Sequence, residues 1–471
     1  MTGTNPYGQP YENPYLSGLY APVHDETTAY DLPVTGRLPE SLDGRYLRNG
    51  PNPLHVPDPA GYHWFSGDGM IHGVRLRDGH AEWYRNRWIR SESVARGLGE
   101  KVLYGPRHMG MDFAPNTHVT LFAGHCLALV EGGALPYEID PELETVGPFD
   151  FHGTLPGGYA AHTLTDPDRG ELHAVAYCPA LPYVQYLVAG ADGRIRRRVD
   201  VRVDGHPVMH DFSLTKRYVL LYDLPVVFDW RGHRGRPRPV WRPGRPARLG
   251  VLPREGGADA VRWLEVEPCF VLHPMNAYEH GGGRYVTVHV LRYDRYFVTP
   301  RPQPGEHVAH LERWTADLTA GTVRREQLDD RPVEYPRVDP RRLTRRHRFG
   351  YAVRERGRGA GGGAALVKYD LERGTGTEFR VPAGDDVGEG VFVPAGPGAA
   401  EDDGWVLAFA YDARRGASDL LVLAAADVAA GPVARVHLPV RVPAGFHGNW
   451  IPDDATGEPE EWPCGEGPVR W

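Results

Sequence analysis

The stretch PAGFHGNWIP, residues 443–452, sets one ionisable ring, His447, among Gly445, Phe446, Gly448 and Trp450. It is either a chance histidine in a surface turn or a member of a set. The chain holds 22 histidines, so most of them are ordinary. His24, His233, His307 and His347 stand in polar surroundings and read as loop residues. Three others share the setting of His447: His162 in GGYAAHTLTD, His210 in PVMHDFSLT and His273 in FVLHPMNAY. Each follows small or apolar residues near a strand end, which turns its ring inward.

The spacings carry the fold. From 162 to 210 is 48 residues, from 210 to 273 is 63, and from 273 to 447 is 174, about three units of 58. Four-stranded propeller blades repeat at roughly 40–50 residues, more with elaborate loops. One histidine on each of four blades would place four rings near the axis, where innermost strands converge.

The rest of the chain agrees with an all-β reading. Short apolar segments bounded by Gly, Pro, Asp or Asn recur at 71–76, 118–123, 126–130, 172–177, 217–222, 284–291, 405–411 and 419–424. Segments with the 3.6-residue helical period are scarce. Local echoes such as LRDGHAEWY and ADGRIRRRV read as hairpins. Glycine and proline, 58 and 44 of the 471 residues, suit many turns. The segments 359–365 (GAGGGAA) and 394–404 (PAGPGAAEDDG) read as exposed loops. Residues 1–28, rich in Pro, Tyr, Asn and Gly, read as an irregular arm before one large domain over 29–471.

Composition excludes several classes. A net charge of -8 gives no basic face for nucleic acid. The arginine runs at 194–198 and 341–348 read as a solvated charged face or loop, or as a cationic face that serves an anionic surface. Cys126, Cys178, Cys269 and Cys464 lie far apart, so neither a disulfide framework nor a thiolate zinc site is expected. The N-terminus lacks the pattern of a secretory signal, and no run of 18 apolar residues exists. A cytoplasmic protein is expected. LPYVQYLVAG (181–190) and LPVVFDW (224–230) are either buried strands or membrane-contacting patches.

Imidazole donors suit Zn, Cu, Fe or Ni, and a set without thiolate points away from structural zinc. Ligating histidines usually pass their other N–H to a carboxylate or carbonyl. Three acids have apolar settings fit for that: Glu131 in LALVEGG, Glu334 in PVEYPRVD and Glu389 in GEGVFVP. Satisfied core histidines are the other reading of the same residues.

At these residues the chain resembles the carotenoid cleavage oxygenase family, which includes the lignostilbene dioxygenases. GRYLRNGPNP (44–53), HWFSGDGMIHGV (63–74), AHTLTDPDRGELHAVAY (161–177), MHDFSLTKRYVLL (209–221), HPMNAYE (273–279), EGVFVP (389–394) and FHGNW (446–450) resemble family blocks in order. The resemblance implies a seven-bladed β-propeller, with a dome of loops and short helices over the metal face. It implies one Fe(II) per subunit held by His162, His210, His273 and His447, with Glu131, Glu334 and Glu389 orienting three of the rings. It implies O2-dependent cleavage of a C=C bond in an apolar conjugated substrate, with Thr117 beside an open metal position. Phe65, Val130, Val208, Leu272 and Tyr335 match positions that line the substrate tunnel. Stilbene- and phenylpropene-cleaving members carry a lysine where Val130 stands, so the resemblance favours a carotenoid or apocarotenoid. It also allows peripheral membrane contact and requires no protein partner.

Overall fold

The computed structural model describes residues 13–103, 105, 114–230, 237–299, 307–354 and 363–453. His233, Cys464, the first twelve residues of the arm and residues 359–362 of the glycine-rich segment lie outside them.

Asp-Gly pairs make hairpins here for a definite reason. In LRDGHAEWY, Asp78 and Gly79 both adopt left-handed backbone, φ 49° and 73°. That is the two-residue turn whose twist matches antiparallel strands. It joins strand Gly69–Arg77 to strand His80–Trp88. Repeated around the chain, such hairpins make seven antiparallel sheets of four or more strands among the described residues. They are the blades of a seven-bladed propeller.

Closure is made by the last described strand. Gly448–Pro452 pairs with Gly44–Pro51, so the N- and C-terminal parts of the chain share one blade. The innermost strands of the next five blades begin at His118, Thr163, Ser213, Phe270 and Val333. In the remaining blade the inner position is shared by Asp386–Val387 and Val391–Pro394. Apolar faces of neighbouring blades pack together, and the largest of these cores holds the fully buried Trp314 and Phe270.

A cover lies over one end of the axis. It contains short turns of helix at Pro14–Leu16, Gly18–Tyr20 and Trp64–Ser66, and the ribbon Val226–Asp229 with Arg238–Trp241. The expected dome is therefore present, and part of the N-terminal arm belongs to it.

Several expectations need correction. His347 is buried, not a loop residue at the surface, because it packs between two blades. Ala364 and Ala365, in the segment expected to be an exposed loop, are buried at the start of strand Ala365–Asp370. In the run 341–348, Arg341 pairs with Asp339, Arg342 with Glu401, Arg345 with Asp168, Arg346 with Glu372 and Arg348 with Asp370. The run ties chain segments together and offers no free anion-binding face. Residues 183–189 form a buried strand, whereas Trp230 at the end of the second apolar segment is exposed. Cys126, Cys178 and Cys269 are buried free thiols. Among the described residues no helix is long and apolar enough to cross a membrane.

Candidate metal centre

FHGNW can approach the axis because it lacks side chains where backbone must pass. A Cβ on Gly448 would stand 2.5 Å from the Leu47 carbonyl oxygen, and one on Gly445 would stand 2.3 Å from Cζ of Arg48. Between these glycines, the His447 N–H donates to the Thr117 carbonyl and its own carbonyl accepts from the Asn49 N–H. The backbone that carries the ring is thus held by the partner strand of its own blade and by the start of the next blade.

His162, His210, His273 and His447 meet on the axis, one from each of four blades, with one ligand nitrogen of each within 4.8 Å of the others. The Nε2 of His210 lies 3.0 Å from that of His162 and 3.3 Å from that of His273. Three of the rings are backed by carboxylates at Nδ1. His210 donates to Glu131 at 2.6 Å, His273 to Glu334 at 2.6 Å and His447 to Glu389 at 2.9 Å. An Nδ1–H so used leaves the Nε2 lone pair free. Converging lone pairs in a buried site repel unless a cation sits between them, so the donor set fits a divalent metal.

Burial and charge set the protonation states. Burial, with four neighbouring rings, holds His162 well below the ordinary imidazole range. Burial brings His447 down to about 4. For His210 burial acts in the same direction but is outweighed by Glu131. Burial would raise the Glu389 carboxyl; Arg337 and His447 instead bring it down to about 2. Glu131 and Glu334 are also held low, chiefly by their histidine partners against the burial penalty. The three acids are carboxylates at neutral pH.

Local irregularity aims these groups. Strand Phe270–His280 changes register on both sides of Pro274, next to His273. Strand Val333–Arg337 bulges after Glu334, and Tyr335 sits at φ 56°, a left-handed conformation rare for a large side chain. One short segment thereby supplies Glu334 to His273, Tyr335 to the cavity and Arg337 to Glu389.

Above the quartet, under the cover, lies a cavity of about 290 Å³. Thr117, Phe65, Val130, Val208, Leu272 and Tyr335 all line it, as do His210, His273 and His447. Thr117 is buried, with its hydroxyl donating to Asn116. His307, read as a loop residue, reaches the cavity wall.

Sequence reading missed four groups. Tyr15 and Tyr20 of the arm join the wall, Tyr20 standing edge-on to Trp64 at 5.0 Å. Tyr293 donates to Glu334 at 2.8 Å. His118 is buried beside the quartet, 5.5 Å between ring centres from His447. Asp211 places a carboxylate oxygen 3.6 Å from Nδ1 of His162, the ring without a glutamate. The apolar frame of HVTLF was the available signal for His118, and adjacency to His210 the signal for Asp211.

Known proteins place this geometry. Residues 20–452 match the family described as retinal pigment epithelial membrane protein. The chain is 47% identical to the carotenoid cleavage oxygenase of Mycobacterium tuberculosis, covering 94% of this chain and 98% of the relative. It is 32% identical to a carotenoid 9,10(9',10')-cleavage dioxygenase of Crocus sativus, covering 93% and 89%. The crystal structure of Pseudomonas brassicacearum lignostilbene dioxygenase superposes with a TM-score of 0.84 at 29% identity, covering 94% of this chain and 99% of that one. A propeller with a four-histidine metal-binding group on its axis, matched over nearly its whole length to such relatives, belongs to the carotenoid cleavage oxygenase family of oxidoreductases.

Proposed function

We propose that His162, His210, His273 and His447 hold one Fe(II) per subunit, and that the protein uses O2 to cleave a C=C bond of a carotenoid or apocarotenoid into two carbonyl products. The observation that carries this reading is four converging rings, three of them backed by carboxylates, with those same three at the floor of an aromatic cavity. When bound, the ion supplies the activation of O2. The protein's part is placement. Phe65, Val130, Val208, Leu272 and Tyr335 hold a rod-like apolar chain across the metal face. Thr117 shapes the space beside the quartet. Glu131, Glu334 and Glu389 fix the rings, so binding the ion requires little rearrangement.

No lysine or arginine is among the described residues lining the cavity. That favours an uncharged polyene over a phenolate. The second reading, a stilbene or phenylpropene, rests on the similarity to the lignostilbene dioxygenase. Peripheral membrane contact would suit a bilayer-dissolved substrate. Exposed Phe65, Val298 and Val308 are supporting observations, since they or their chain neighbours line the cavity.

Metal analysis of anaerobically purified protein, followed by O2 uptake and product analysis on apocarotenoid and stilbene panels, tests the proposal. Iron near one per chain with two carbonyl products from an apocarotenal is expected. Turnover of stilbenes alone would select the second reading, and a chain without bound metal would refute both.

A further inference from the structure

The quartet separates two cavities. On the face away from the cover lies a second cavity of about 350 Å³, which also touches His162, His273 and His447. Its wall includes Thr120, Thr163, Asp211 and His118, together with Arg337 and Arg341, whose charges are paired with Glu389 and Asp339, and it follows strand Thr163–Thr165 outward from His162. Burial falls along that strand: His162 is buried, Thr163 half-buried, and Thr165 exposed beside exposed Pro167. The second cavity therefore joins the ligands to solvent without passing through the substrate cavity.

Its inner end is built for water or a cation. Neither ring nitrogen of His118 has a hydrogen-bond partner of good geometry, although the side chain is 5% exposed, and the Thr163 hydroxyl is likewise unpartnered. Buried polar atoms of this kind are satisfied by ordered water. Among the described residues no lysine or arginine lies within 4 Å of the Asp211 carboxylate; its ion-pair neighbour is His162. A divalent ion travels hydrated and loses water reluctantly in apolar surroundings. The substrate cavity is closed under the cover by Trp64, Phe446 and Phe297, and its two carboxylates, Glu131 and Glu334, are already engaged by His210 and His273.

We propose that the axial cavity is the route by which a hydrated divalent metal ion enters and leaves the four-histidine site, with Asp211 and His118 as the last polar groups before the ligands. This rests on the reading that the quartet binds a metal. It gives the two cavities separate duties: apolar substrate enters under the cover and the ion from the opposite face.

A route differs from a ligand in one measurable way. Narrowing a route slows entry and release by the same factor and leaves the equilibrium unchanged. Entry of Fe(II) or Co(II) into the metal-stripped full chain, and release from the loaded chain to excess chelator, are to be followed anaerobically by stopped flow. Thr163→Leu and Thr120→Leu should slow both rates roughly tenfold, with the dissociation constant held within about threefold. Thr165→Trp, at the exposed rim and safest for folding, should do so to a lesser degree. Val208→Phe, in the substrate cavity, should change neither rate. Unaltered rates in all three threonine variants would overturn the proposal, as would slowing by Val208→Phe alone, or a rate change accounted for by weakened affinity. A wild-type chain that takes up no ion would refute the metal reading itself, a result separate from these.

Discussion

Two groups of buried histidines can be compared within this molecule. One is the axial quartet. The other is His289 with His347, which meet at right angles, 4.9 Å between ring centres, where the blade of Tyr285–Tyr293 abuts that of Phe349–Arg354. Both groups are largely removed from the surface and crowded. They differ in what stands at the other ring nitrogen. In the quartet, carboxylates accept from Nδ1 and leave Nε2 lone pairs pointing at the axis. In the pair, donors use the lone pairs: Arg313 Nε donates to Nε2 of His289, and the Asn276 amide donates to Nδ1 of His347. Burial makes a histidine neutral; its hydrogen-bond partner decides whether it remains available as a ligand.

The largest expected effect tests that difference directly. His273→Ala should weaken metal binding by more than roughly 1000-fold, whereas His289→Leu should leave metal content at the wild-type level; elemental analysis of both variants decides. Metal loss in both would erase the distinction.

Acid should act on the peripheral pair through stability. Burial brings His347 down to about 4, from an ordinary value near 6.5. Between those values the unfolded chain binds a proton that the folded chain refuses. The contribution of His347 is therefore complete above pH 6.5 and is lost as pH falls toward 4, amounting to about 3 kcal/mol. Other buried histidines, His447 among them, add slope of the same sign, so denaturant unfolding from pH 7.5 to 4.5 should show a slope that His347→Met makes shallower by that amount. An equal slope in the variant would contradict the assignment.

Converting an acceptor to an amide sharpens the comparison further. Glu334→Gln can present an N–H to Nδ1 of His273 and favour the wrong tautomer, so metal affinity should fall roughly 10–100-fold with the fold retained. Competition with a chelator measures it, and unchanged affinity would show that the carboxylate is dispensable. The smallest effect is expected from Arg313→Met, which removes one donor from the pair at a cost of about 1 kcal/mol. Thermal unfolding reads that loss, and metal content should not move.

The quartet, its three acids and the strand-and-turn architecture were legible in the chain because each is written locally. An inward ring needs small or apolar neighbours, and a tight hairpin needs a turn that accepts left-handed backbone, such as Asp78-Gly79 or Ala123-Gly124. Other parts of the site were not legible. HRFGY gives no hint that His347 is buried, since the surface covering it belongs to a neighbouring blade. Tyr15 and Tyr20 sit in a stretch that looks irregular by composition, and they matter only because Trp64 is there to receive them.

By itself the sequence determined which side chains turn inward and how often strands recur. Only the tertiary structure decided which of those side chains meet, where the bulges re-aim Glu334, Tyr335 and Arg337, and that a second cavity reaches the quartet from behind. The reason is physical. Burial and turn chemistry depend on near neighbours in the chain, whereas the convergence of His162 and His447, 285 positions apart, depends on closing a ring of seven blades.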